Sequence, residues 1–357
     1  MSKDQLYNRI RGALYGVAVG DALGAPLEFM SRAEIQKQYG KVTEMIGGGW
    51  LGLKPGETTD DTAMTVAVAE GIVENPDNPI PAIGERFKKW YLKNPRTAGR
   101  ACSEVIQEAI REHAVEENEW FAASQITNER LRGMTEGNGA LMRTVYVGLY
   151  YADREIRETM ADKISAMTHW SNVSSGHCIA YVNAINVALT ESGKIKTVIK
   201  GNQRARNITT YPAPTGHVRN TYDCALFAIK ATDTLEEALI AAVNSGGDTD
   251  TIGAVTGGLA GAIYGYDQIP ERWIKALDPE LRKKLDKLAK EALKARTTLK
   301  EYKVVIYQRY EKHVTMKAHS GKDAYDKAMA EYEIDSKEVM DKDDLEDCWI
   351  EILSEGE

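Results

Sequence analysis

Ser245-Gly246-Gly247-Asp248-Thr249-Asp250-Thr251-Ile252-Gly253-Ala254 sets two carboxylates and two hydroxyls between paired glycines and a run of small apolar residues. The pattern predicts a turn feeding a helix, because Thr249 or Asp250 can accept a hydrogen bond at an N-cap and the chain beyond Ile252 is nearly free of polar side chains. Such a helix is buried, with Gly257, Gly258 and Gly261 letting a neighbouring backbone come close. A cap needs one acid. Two acids at i, i+2 beside two threonines exceed that need, and oxygen ligands this close together suit a hard divalent cation. Taken alone, the segment supports a metal ligand set and an elaborate cap equally.

Thr58-Thr59-Asp60-Asp61-Thr62 repeats the same chemistry almost two hundred residues earlier, again at the start of an apolar helix, with Met64, Val68 and Ile72 on one stripe and an end before Asn75-Pro76. Two clusters of matching composition read as two halves of one oxygen-rich site. Thr59, Asp60, Asp61, Asp248, Asp250 and Thr251 are therefore the candidate ligands of a metal pair, since four converging carboxylates without cations could not all stay ionised.

A third segment points to the same place. Ile10, Leu14, Val17 and Asp21 fall at helical spacing between Gln5 and Gly24, amid enough Gly and Ala to imply tight helix packing. Asp21 near that helix's C-terminus opposes the helix dipole, so a specific partner is expected for it, and it is carried as a substrate-binding candidate. The loop Gly24-Ala25-Pro26-Leu27-Glu28-Phe29 then brings Glu28 out of an apolar setting. Gly47-Gly48-Gly49-Trp50 reads as a turn-rich loop leading to the first acid cluster.

The chain of 357 residues, 43% apolar and 27% charged, is long enough for one large domain with an appendage. No signal-peptide core and no run of ~18 apolar residues is present, so a cytoplasmic protein without a membrane partner is expected. Cys102, Cys178, Cys224 and Cys348 are too scattered for a zinc or disulfide framework and read as small apolar residues. Of the net charge of −8, Gly321 to Glu357 holds 14 acids against 4 lysines, leaving the rest near neutrality and without a basic block for tight duplex binding.

Residues 80 to 131 read as packed helices with no chemistry of their own. Gly137-Asn138-Gly139, before a helix, offers backbone amides to an anion, though an ordinary helix entry fits as well. His169 reads alone as a structural donor, and Tyr222 as a stacking ring or core. Val304 to Tyr307 is the one convincing strand. In the acidic tail, Tyr325, Met329, Tyr332 and Ile334, then Leu345, Trp349, Ile350 and Leu353, suggest two short helices. The expected division is a catalytic domain at 1–280 and a mostly helical extension at 281–357, acidic from 321.

Five ordered segments, Gly12 to Phe29, Leu53 to Met64, Gly137 to Arg143, Thr168-His169 and Gly246 to Gly261, make residues 8 to 275 resemble the ADP-ribosylglycohydrolase family. The resemblance implies a compact all-α domain that holds two Mg²⁺ ions, with Mn²⁺ as a substitute, on the six ligands named above. It implies Glu28 beside the scissile bond, Asn138 and the Gly139 amide at a diphosphate, His169 near the distal ribose and Tyr222 as a ligand wall. Hydrolysis of the C1″ bond of an ADP-ribosylated acceptor, protein-linked arginine ahead of serine or nucleic acid, would release ADP-ribose through an oxocarbenium-like transition state. Asp60 or Asp248 would take the water's proton and Glu28 would assist the leaving group or orient ribose. Another dinuclear metallohydrolase and a non-catalytic ADP-ribose-binding module remain as alternatives. The tail lies outside the resemblance and is expected to pack on the body, mediate assembly or bind a protein partner.

Overall fold

Ser2 and Gln5 close a capping box at the start of α1 (Lys3–Gly24), the Ser2 hydroxyl accepting from Gln5 N and the Gln5 side chain accepting from Ser2 N. The structure, a computed structural model, describes residues 1–190, 203–298, 300–307, 312–319, 321–328, 330 and 349–355. After α1 come α2 (Arg32–Tyr39), α3 (Asp60–Glu74), α4 (Ile80–Tyr91), α5 (Arg100–Arg111), α6 (Glu117–Arg130), α7 (Val145–Tyr150), α8 (Arg154–Ala166) and α9 (Asn172–Thr190). They are followed by α10 (Gln203–Asn207), α11 (Val218–Ala231), α12 (Leu235–Val243), α13 (Thr249–Tyr264), α14 (Glu271–Ala276) and α15 (Pro279–Thr297). The all-α body expected from the sequence is what forms. α3 stops at Asn75, where the following Pro76 disfavours helical backbone.

At the centre of the body α1 and α13 lie antiparallel with their backbones touching. Gly12, Gly16, Gly20 and Gly24 recur every fourth residue and share one face of α1. A Cβ at Gly16 would overlap the carbonyl of Gly257, one at Gly20 that of Gly253, and one at Gly24 that of Thr249. Only glycine permits that approach. Both helices are buried from end to end in their contact region, and Val17, Leu259, Val145 and Tyr181 fill the space around them. The consequence is local and chemical: the C-terminal end of α1, with Asp21, is locked beside the N-terminal end of α13, with Asp248 to Thr251.

The first compact unit runs Met1–Leu293. Residues Lys294–Glu357 form a second unit. In it β1 (Lys300–Tyr307) pairs antiparallel with β2 (Lys312–Ala318) and with β3 (Trp349–Glu355), in the order β2-β1-β3, and residues 321–328 are helical. The strand expected at Val304 to Tyr307 is β1. A helix through Trp349 to Leu353 is not found: those residues are in β3, with Ile350 opposite Ile306, because Trp349, Ile350 and Ile352 suit a pleated backbone once β1 offers it an edge. Met329, Tyr332, Ile334, Leu345 and Cys348 lie outside the described residues. Among the described residues no helix is long and apolar enough to cross a membrane.

Candidate active site

Asp21 finds its partner in the N-terminus of α3. Its Oδ1 and Oδ2 accept from Thr59 N at 3.1 and 3.0 Å, and Oδ2 accepts from Thr62 N at 3.1 Å and Thr62 Oγ1 at 2.5 Å. The carboxylate is fully buried, so the assignment of Asp21 to substrate contact is corrected: it satisfies orphan amides of α3 and aims that helix. Burial raises Asp21 to about 6, although each of these donors works against the rise.

With α3 so placed, Asp60 and Asp61 emerge from its first turn opposite Asp248 and Asp250. Asp248 occupies the N-cap position of α13, yet its side chain makes no cap hydrogen bond; its Oδ2 accepts instead from Asn138 Nδ2 at 2.8 Å. The N-cap position thus falls on Asp248 and not on Thr249 or Asp250, the residues expected to cap. Thr249 Oγ1 is spent on Gly24 O at 2.8 Å, and Asp250 Oδ1 accepts from Thr251 N at 2.8 Å. Thr59 caps α3 through Asp61 N. The acids of the two clusters thus meet, and Glu28 joins them, since one oxygen each of Glu28, Asp248 and Asp250 lie within 4.8 Å of one another.

These side chains floor a cleft of about 510 Å³ also lined by Thr251, Asn138, Gly139 and His169. Asn138 Nδ2 is shared between Asp248 and Thr221 Oγ1, and its backbone N–H donates to Gly216 O at 3.0 Å, so that amide is not on offer to an anion. His169 is buried, its Nδ1 paired with Thr168 Oγ1 at 2.8 Å; burial, reinforced by Arg143, pushes its pKa down to about 3. It is a neutral ring at physiological pH. Tyr222 is 3% exposed and stands edge-on to His177 and Tyr181, so it packs in the core and does not line the cleft as the expected ligand wall.

Sequence reading missed one whole wall. Arg96, Thr97 and Gly99 line the cleft from the segment before α5, with Arg100 at the helix's first position, a stretch that had looked like mere packing. Thr97 Oγ1 and Gly99 N both donate to Asp60, the latter at 3.3 Å. The signal available was Asn94-Pro95-Arg96-Thr97-Ala98-Gly99, a loop too rich in turn formers for a helical hairpin with no task. Arg143, fully buried, was also missed; it donates to Gly139 O at 3.2 Å and Ile164 O at 2.8 Å, fixing the loop that carries Asn138.

The electrostatics of the floor call for a cation. Burial first, then Asp21, Asp60, Asp248 and Glu28, push Asp61 well above the usual carboxylate range. Burial and the neighbouring acids do the same to Asp250, and burial ahead of Asp248 raises Asp60. Asp61 Oδ1 is buried without a hydrogen-bond partner. A buried unpaired carboxylate oxygen among other carboxylates and threonine hydroxyls is an all-oxygen donor set of the kind hard divalent ions take, so the residues fit a divalent cation.

Comparison with known proteins bears on what such a site does. A family profile described as ADP-ribosylglycohydrolase matches residues 2–301. The ADP-ribosyl-[dinitrogen reductase] glycohydrolase of Rhodospirillum rubrum is 33% identical over 302 residues, covering 81% of this chain and 98% of the relative. An ADP-ribosylarginine hydrolase of Serratia proteamaculans is 28% identical, covering 76% of this chain and 75% of its own. A solved structure titled ADP-ribosylglycohydrolase-related protein complex superposes with a TM-score of 0.68 at 29% identity, covering 81% of this chain and 98% of that one.

Proposed function

The chain belongs to the ADP-ribosylglycohydrolase family of glycosidase-type hydrolases, and from that premise we propose that it removes ADP-ribose from protein by cleaving the N-glycosidic C1″ bond to arginine. The observation that carries this reading is the meeting of Asp60, Asp61, Asp248 and Asp250 with Glu28 on the floor of one cleft. The relatives' names, which specify dinitrogen reductase and ADP-ribosylarginine, favour a protein-borne arginine acceptor. The three described cysteines are all free and buried, which suits a reducing cytoplasmic setting.

Two Mg²⁺ ions, or Mn²⁺ in their place, held by Thr59, Asp60, Asp61, Asp248, Asp250 and Thr251 would supply Lewis-acid stabilisation of developing charge and an acidified water. The chain's own groups account for the proton traffic. Burial, opposed by the hydrogen bond from Trp50, and the charges of Asp248, Asp60 and Asp21 raise Glu28 in the cation-free site, and its place beside the acid floor makes it the group that passes a proton to the departing guanidine nitrogen. As the C1″–N bond breaks, the water oxygen bonds C1″ and the water's proton passes to Asp60 or Asp248. Asp248 is oriented for that by Asn138, and Asp60 by Thr97 and Gly99. Neutral His169 and the Asn138 loop border the space for the rest of the nucleotide.

Purified protein incubated with ADP-ribosylated arginine, serine and nucleic-acid substrates, with and without EDTA, tests the reading. Release of free ADP-ribose from the arginine substrate, abolished by EDTA and restored by Mg²⁺, is the expected result; binding without release would leave an ADP-ribose-binding module instead.

A further inference from the structure

The Gly47-Gly48-Gly49-Trp50 loop is the sequence motif that neither acid cluster explains. Gly48 and Leu53 exchange two backbone hydrogen bonds, 2.7 Å from Gly48 N and 2.9 Å from Leu53 N, which closes the segment into a tight hairpin. Gly47, Gly48, Gly49 and Gly52 all have φ between 61° and 85°, backbone that side chains rarely tolerate. A Cβ on Gly49 would stand 2.8 Å from Pro26 Cα, so the hairpin rests directly on the residues that lead into Glu28.

At its tip Trp50 is 58% exposed, and its Nε1–H donates to Glu28 Oε2 at 2.8 Å. The ring also leans on Phe29, with centroids 5.6 Å apart. Phe29 has φ 67, the left-handed region, and its strained backbone is held by Phe29 N to Gly247 O and Gly247 N to Met30 O, both 2.8 Å. Glu28 is therefore gripped from two directions. The turn that carries Asp248 holds the backbone of the next two residues, Phe29 and Met30, and the indole holds one carboxylate oxygen while leaving Oε1 for a ligand. An exposed tryptophan contributes little to the core. Hydrogen bonding is what its position achieves.

We propose that Trp50 is a positioning residue for Glu28, held by the glycine hairpin so that its indole N–H fixes the orientation of that carboxyl group at the leaving-group side of the cleft. This rests on the reading under Proposed function. The test is a double-mutant cycle on the full chain with Mg²⁺ and an ADP-ribosylarginine substrate, comparing wild type, Trp50→Phe, Glu28→Gln and the double variant. Trp50→Phe keeps an aromatic ring against Phe29 and loses only the donor. The expected result is a fall in kcat of about tenfold, with KM within about twofold, and no further fall when Trp50→Phe is added to Glu28→Gln. Trp50→His, which retains a ring N–H, is expected to recover part of the loss. An unchanged kcat in Trp50→Phe, or a tenfold loss that persists in the Glu28→Gln background, overturns the proposal. No release of ADP-ribose by the wild-type chain overturns the functional reading first and this one with it. Thermal melting accompanies each variant, and the same cycle with Trp50→Leu serves if Trp50→Phe does not fold.

Discussion

Asp21 Oδ2 and Thr62 join the C-terminal end of one helix to the N-terminal end of another through two hydrogen bonds, 3.1 Å from Thr62 N and 2.5 Å from Thr62 Oγ1. The arrangement puts a carboxylate where α3's dipole favours it, and with Thr59 N it satisfies two amides that the helix itself cannot. Asp21→Ala leaves those amides buried and unpaired, so a stability loss of about 2–4 kcal/mol is expected, read by urea unfolding. Because Thr59 to Asp61 are aimed by the same contact, the variant is also expected to lose Mg²⁺-dependent thermal stabilisation while Asp60 and Asp61 are intact.

The glycine ladder makes a sharper prediction. Gly16→Ala drives a methyl group into the Gly257 carbonyl, a backbone atom that cannot move aside, and is expected to cost more than ~4 kcal/mol or to abolish folding. Gly176 is the matched control: it lies inside α9 with nothing within 4 Å of a built Cβ. Gly176→Ala should be neutral or stabilise by about 0.5–1 kcal/mol. Equal effects of the two substitutions on Tm would show that the α1–α13 approach does not govern stability.

Asp61 separates repulsion from ligation. In chelator-treated protein its charge is opposed by burial and by four neighbouring acids, so Asp61→Asn is expected to raise Tm relative to wild type under those conditions. Added Mg²⁺ should raise the Tm of wild type and leave that of Asp61→Asn nearly unchanged, because a ligand that binds only the folded state stabilises in proportion to its affinity. Both measurements come from melting the two proteins with chelator and with Mg²⁺.

His169 sets an acid limit. Its folded pKa, about 3, lies below the ordinary histidine value, so between about 6.5 and about 3 the unfolded chain binds a proton that the folded chain refuses. Stability therefore falls as pH drops through that window, and His169's share of the loss from pH 7 to pH 5 is about 2 kcal/mol. His169→Asn should show a smaller drop in unfolding free energy over the same interval. If its pH dependence matched wild type, the buried neutral ring would not be the source.

The acid clusters, the buried glycine-rich helix and the order of the motifs were legible in the sequence because they are local. Asp248-Thr249-Asp250-Thr251 and Thr59-Asp60-Asp61 declare oxygen-rich chemistry through composition alone, and helical period reports which faces are buried. What Asp21 does was not legible. An acid three residues before a helix's end carries no mark of whether it meets a substrate or another helix's amides, and only the antiparallel α1–α13 packing, which sets it against α3, decided that. Tyr222 was likewise an aromatic with two plausible homes until His177 and Tyr181 enclosed it. The cleft wall at Arg96 to Arg100 and the grip of Trp50 on Glu28 join residues distant in sequence through side-chain reach, a property no local pattern encodes. The opening turn was read as either a cap or half of a metal site. Asp248 stands at the cap position with its side chain turned to Asn138, 110 residues away, a partner chosen in space and not along the chain.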